Sequence, residues 1–145
     1  MEPVSFTVEN IHTVAKKILE ELPAFSKKST LLTLSGDLGS GKTTLVQHIA
    51  TILNIKEVVT SPTFVIRKDY LLVNQKWSHV IHIDMYRVGF GENVSLLGLK
   101  ELLEKPNFLV IIEWPEKIVS SLPIEQLYSY RLSIVSEEVR TIEKV

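Results

Sequence analysis

Leu31-Leu32-Thr33-Leu34-Ser35-Gly36-Asp37-Leu38-Gly39-Ser40-Gly41-Lys42-Thr43-Thr44-Leu45-Val46-Gln47-His48-Ile49-Ala50 is the stretch that decides the fold. It runs from an apolar segment, through a glycine-rich loop closed by lysine and threonine, into a segment whose apolar residues recur at helical spacing. Strand, loop and helix in that order form a phosphate-binding loop. The glycines let the backbone turn tightly and aim successive N–H groups at phosphate oxygens, and the helix N-terminus adds a favourable partial charge. Gly36, Asp37, Leu38, Gly39, Ser40, Gly41, Lys42, Thr43 and Thr44 are therefore expected to hold a nucleoside triphosphate. Lys42 would reach the terminal phosphates and act in catalysis, and Thr43 would coordinate magnesium.

The rest of the chain supplies elements to surround that loop. Ile11, Val14, Ala15, Ile18, Leu19 and Leu22 follow helical spacing, with Asn10 as the cap and Pro23 as the stop. Residues 56–59 lead into the turn-rich Thr60-Ser61-Pro62-Thr63. An extended stretch over 64–73 then turns near Asn74-Gln75-Lys76 and returns over 77–85 as a hairpin. Residues 92–103 read as a helix interrupted by Gly98. Phe108-Leu109-Val110-Ile111-Ile112 is a continuous apolar run, as expected of a strand covered on both faces. Tyr128, Tyr130, Leu132 and Ile134 alternate with polar residues, and a Ser136-Glu137-Glu138 turn leads to Arg140-Thr141-Ile142, an antiparallel hairpin at the sheet edge. The fold class expected is α/β: a three-layer sandwich of the P-loop NTPase kind with a mixed sheet, one domain spanning residues 1–145.

A triphosphate site needs carboxylate near its magnesium, and ligands of open α/β sheets collect beyond the carboxyl ends of the strands. Glu113 ends the buried run and suits a direct or water-mediated metal contact. Asp84 ends Val80-Ile81-His82-Ile83 and suits a catalytic role, orienting water or supporting the metal, although spacing alone leaves the division between the two acids open. His82, Asp84 and Tyr86 project to one face of a strand. His82 reads either as a packed strand histidine or as part of that wall. Arg87 could stabilise phosphoryl charge, pair with an acid or meet a partner, and Trp114 could anchor packing or a contact surface. The hydroxyls of Thr60, Ser61 and Thr63 suit a loop that closes on the terminal phosphate, but an ordinary proline turn accounts for them equally.

Taken together, Gly-Asp-Leu-Gly-Ser-Gly-Lys-Thr-Thr at 36–44, Ser-Pro-Thr-Phe at 61–64, His-Ile-Asp-Met-Tyr-Arg at 82–87 and Glu-Trp-Pro-Glu at 113–116 resemble the bacterial TsaE family. The resemblance implies a small ATPase of the machinery that makes threonylcarbamoyladenosine in tRNA, using ATP and Mg²⁺ and acting with a complex of the TsaB and TsaD type. Lys42 and Thr43 match the family's phosphate and magnesium ligands, Asp84 and Glu113 its essential acids, and Arg140 resembles an arginine placed near the nucleotide base. Residues 89–93, Gly-Phe-Gly-Glu-Asn, depart from the more acidic, proline-containing stretch of the family.

Composition narrows the field further. Lys and Arg number 16 against 17 Asp and Glu, a net charge of -1, so the basic footprint of a protein that grips nucleic acid unaided is missing. Any tRNA is expected to be met indirectly, through the complex. The absence of cysteine rules out disulfides and thiolate chemistry and suits a reducing compartment. No basic leader or apolar span is legible, so a cytoplasmic protein without membrane association is expected. A small-molecule kinase would share the loop, but its usual lid needs clustered positive groups, and Arg67, Arg87, Arg131 and Arg140 are scattered. A nucleotide-gated binding module with little turnover remains a second alternative. Guanine specificity is disfavoured, because no Asn-Lys-x-Asp sequence occurs.

Overall fold

The computed structural model describes residues 2–59, 67–86 and 98–145. The chain builds β1 (Val4–Phe6), α1 (Ile11–Glu21), β2 (Thr30–Ser35), α2 (Lys42–Ile52), β3 (Arg67–Leu71), β4 (His79–Asp84), α3 (Leu99–Leu103), β5 (Phe108–Glu113), β6 (Leu127–Ile134) and β7 (Arg140–Lys144). One seven-stranded sheet runs in the order β1-β7-β6-β2-β5-β4-β3. The inner strands β6, β2, β5 and β4 are parallel, while β3, β7 and β1 pair antiparallel at the two sides. The expected β6–β7 hairpin stands at its side of the sheet, with the short β1 added outside it through Val4↔Ile142.

Side-chain alternation sorts the apolar residues into two cores. Leu32, Leu34, Val80, Leu109, Ile111, Tyr130 and Leu132 face α1 and α2. Leu31, Ile81, Ile83, Val110 and Ile112 face α3 and the short 3-10 turns beyond β5, meeting Leu99, Leu102, Ile118 and Leu122. This is why the Phe108–Ile112 run has no polar face: β5 lies between two helical layers, and burial of each large aliphatic side chain contributes roughly 1.5–3 kcal/mol. The three-layer α/β architecture read from the sequence is the one observed.

Local chemistry explains the differences in detail. Asn10 occupies the position before α1, but its Oδ1 accepts from the Thr7 amide at 2.6 Å instead of capping the helix. The side chain closes the turn that joins β1 to α1. Leu22 is extended ahead of Pro23, as a residue before proline prefers. Gly98 adopts a left-handed φ of 66°, so the described helix starts only at Leu99. The part of the expected helix over 92–97, the loop Thr60-Ser61-Pro62-Thr63, residues 64–66, Arg87 and the stretch 89–93 lie outside the described residues. Among the described residues, no helix is long and apolar enough to cross a membrane.

Candidate functional site

The glycine-rich loop leaves the carboxyl end of the central strand β2 and enters α2. Gly36, Gly39 and Gly41 have φ of 141°, 82° and 103°, the positive-φ backbone that lets the loop curl tightly. The Gly41 carbonyl accepts the first bond of α2, from Leu45 N at 2.9 Å. The Lys42 ammonium folds into the loop, donating to the Gly36 and Asp37 carbonyls at 2.5 and 3.0 Å and to Ser40 Oγ at 3.4 Å. Lys42 is only 5% exposed. That burial lowers its pKa from the ordinary lysine value, against the opposing pull of Glu113, Glu116, Asp84 and Asp37.

Both acids named from the sequence meet opposite the loop. Asp84 and Glu113 are register partners on β4 and β5, and Leu34 of β2 pairs with Glu113 on its other side. The ladder continues past the strand ends, with Met85 N donating to the Glu113 carbonyl at 3.0 Å and Trp114 N to the Leu34 carbonyl at 3.2 Å. These bonds fix the Glu113 backbone among three strand termini. Its carboxylate accepts from Thr43 Oγ1 at 2.9 Å and lies 2.6 Å from His82 Nε2. Asp84 Oδ1 accepts from the Tyr86 amide at 2.9 Å. The structure thus brings together Lys42, Thr43, Asp84 and Glu113, and His82, for which the sequence left packing and site roles both open, is buried with its Nε2 against the Glu113 carboxylate.

Trp114 takes φ 56° and ψ 57°, a left-handed conformation uncommon for so bulky a residue. Its ring lies 4.2 Å from Lys42 Nζ, measured to the centroid, and 4.8 Å from the Tyr86 ring. Trp114 thus forms a wall of the cleft. The cleft, about 380 Å³, is lined by loop residues Leu38, Gly39, Gly41, Lys42, Thr43 and Thr44 on one side and by Asp84, Tyr86, Glu113 and Trp114 on the other. A glycine-rich loop at a helix N-terminus, one ammonium, the hydroxyls of Thr43, Thr44 and Tyr86 and two carboxylates suit a polyanion accompanied by a hard cation.

A second hollow of about 290 Å³ adjoins the cleft and shares Gly39, Gly41 and Thr44 with it. Phe6 and Ile11 supply an apolar floor, with Glu137, Glu138 and Arg140 at the rim. Arg140 reaches back to the loop, its Nε donating to the Gly39 carbonyl at 2.9 Å and Nη1 to the Ser136 carbonyl at 2.6 Å. Phe6, Thr7 and Glu9 were not legible as site residues. They arrive there because three-residue β1 pairs with β7, a contact across most of the chain that no local pattern announces.

Comparison with known proteins gives a consistent result. Residues 7–142 match the family model described as Threonylcarbamoyl adenosine biosynthesis protein TsaE. The chain is 39% identical over 105 residues to the tRNA threonylcarbamoyladenosine biosynthesis protein TsaE of Borreliella burgdorferi, covering 72% of this chain and 74% of that one. It is 38% identical over 112 residues to the protein of the same name from Bacillus subtilis, covering 77% and 67%. The crystal structure of Bacillus subtilis YdiB superposes with a TM-score of 0.70 at 26% identity, over 99% of this chain and 84% of that chain.

Proposed function

The chain belongs to the TsaE family, and from that premise we propose that it binds and hydrolyses ATP, with magnesium, in support of threonylcarbamoyladenosine modification of tRNA. The observation that carries this reading is the 2.9 Å bond from Thr43 Oγ1 to Glu113 Oε1. It joins the first turn of the helix after the phosphate loop to the acid ending the neighbouring strand. Phosphates would lie in the cleft over the loop, with adenine and ribose in the adjoining hollow beside Phe6 and Arg140.

The donors around Thr43 fit magnesium, since a hydroxyl and two carboxylates from adjacent strands offer oxygen only, and the ion takes one or two such groups beside phosphates. Thr43 and Glu113 would hold it; once bound, it would neutralise charge on the phosphoryl oxygens. Lys42 would exchange its loop carbonyls for phosphate oxygens. Asp84, steadied by the Tyr86 amide, would orient a water whose oxygen bonds to the terminal phosphorus as the bridging bond breaks, one water proton staying on that oxygen and the other passing to a phosphoryl oxygen, giving ADP and inorganic phosphate.

With a net charge of -1, tRNA would be met through a TsaB–TsaD type complex in the cytoplasm, and the single domain would act as its ATPase. The test is calorimetry and phosphate release with ATP and Mg²⁺, for the full chain alone and with those partner proteins. Binding heat and partner-enhanced release of free phosphate are expected. Absence of heat in both settings, or label passing to an acceptor other than water, overturns the proposal.

A further inference from the structure

We propose that His82 is a positioning residue of the site, its Nε2–H clamping one oxygen of Glu113 so that the other is aimed at Thr43. The inference rests on the magnesium-linked nucleotide reading and deepens it. The two carboxylate oxygens divide their work: Oε2 meets His82 Nε2 at 2.6 Å, while Oε1 takes the shorter bond from Thr43 at 2.9 Å, against 3.3 Å to Oε2. His82 and Glu113 are 0% and 2% exposed, so water does not compete for the bond. Paired in register with Ile111, the ring lies on the sheet face turned toward α2, on the same side as Val46 and Ile49.

The other ring nitrogen decides the proton's place. His82 Nδ1 is buried and has no hydrogen-bond partner among the described residues. It belongs to a ring that, with Val46, Ile49, Tyr70 and Ile111, lines a space with no room for a water molecule. A proton on Nδ1 would be an unpaired buried donor and would leave a bare Nε2 facing a carboxylate oxygen at 2.6 Å. The ring hydrogen therefore resides on Nε2, the tautomer that donates to Glu113. A side chain that merely filled this space would be apolar, because an imidazole leaves one polar atom unsatisfied there. Carboxylates and histidines placed behind a metal-holding group fix its orientation, and removing such a partner lowers metal affinity about 10- to 100-fold.

The test compares His82→Leu, which removes the donor, with His82→Gln, whose amide nitrogen restores one. ATP affinity of the full chain is measured by calorimetry in Mg²⁺ and in EDTA. His82→Leu should lose about 10- to 100-fold of apparent magnesium affinity while binding ATP normally in EDTA, and His82→Gln should recover most of the loss. Wild-type magnesium linkage retained in full by His82→Leu overturns the inference alone. No magnesium linkage in the wild type overturns the reading beneath it, and this inference with it. If His82→Leu fails to fold, the nitrogen NMR spectrum of the wild-type ring decides: a hydrogen on Nε2 supports the clamp, and a hydrogen on Nδ1 overturns it.

Discussion

Lys42 Nζ stands 4.2 Å from the centre of the Trp114 ring while donating to the Gly36 and Asp37 carbonyls. A cation over a half-buried indole gains about 1 kcal/mol, so the strained backbone of Trp114 is offset in part by the ammonium it faces. Under the proposed function, phosphate oxygens entering the cleft would compete for that same ammonium. The ring is placed to register their arrival.

Titration with ATP should therefore change tryptophan fluorescence, and Trp114→Phe should remove most of the change. The second tryptophan, Trp77, is 2% exposed, and its Nε1 donates to Thr30 Oγ1 at the opposite end of β2. It provides a steady background. A nucleotide-dependent signal of undiminished size in Trp114→Phe would show that the indole does not sense the phosphates.

Burial holds the Lys42 pKa below the ordinary lysine value, and the sign of the resulting pH dependence follows. The unfolded chain keeps this proton to higher pH than the fold does. Between the lowered value and the ordinary one, folding stability thus rises with pH. Nucleotide binding goes the other way, because phosphates favour the charged amine. ATP affinity should begin to fall at a pH below the ordinary lysine range, accompanied by proton uptake detectable as a buffer-dependent heat. Lys42→Arg should shift the decline upward. Affinity that stays flat into the lysine range, with no proton uptake, counts against the assignment.

Thr43→Ala removes the hydroxyl bonded to Glu113, and Glu113→Ala removes the acceptor shared by Thr43 and His82. Each should lower magnesium-dependent hydrolysis by about two orders of magnitude or more, the scale of losing one preorganised group. Binding of ATP in EDTA should survive in Thr43→Ala. Glu113→Ala should additionally lower the thermal midpoint, because it strands the buried Nε2 of His82. Turnover at wild-type level in both variants would falsify the site assignment.

How much of this was legible depended on the range of the interactions involved. The loop from Gly36 to Thr43 and the strand ending in Glu113 were readable because a phosphate cradle and a doubly covered strand each have a local signature. That Asp84 and Glu113 are partners could be suspected from their strand ends, but their adjacency needed the parallel register of β4 on β5. The His82–Glu113 bond and the Trp114–Lys42 contact were illegible for a different reason. The first depends on the diagonal placement of His82 and Glu113 across the β4–β5 register, and the second on the left-handed turn at Trp114, where a sequence offers no glycine to mark it. Asn10 shows the converse: the right residue type stood at the helix start, yet its oxygen turned to the Thr7 amide, a local competition that composition cannot resolve.

The loop's glycines are not equivalent, and substituting them separates backbone strain from contact. At Gly39, with φ 82°, an added Cβ would meet nothing within 4 Å. Gly39→Ala should lose only the left-handed penalty of about 1–2 kcal/mol. At Gly36, with φ 141°, the Cβ would stand 2.4 Å from the Leu132 carbonyl oxygen and 2.7 Å from Ser40 Oγ. The serine can rotate. The carbonyl cannot, because Leu132 is held in the β6–β7 ladder opposite Ile142. Gly36→Ala must therefore move the loop itself, displacing the carbonyl that anchors Lys42 at 2.5 Å. Thermal unfolding should show a clearly larger drop for Gly36→Ala than for Gly39→Ala, and ATP affinity should fall more steeply in the former. Equal losses in both measurements would mean that β6 yields to the methyl group and that the close approach of loop to strand is not what fixes the cradle.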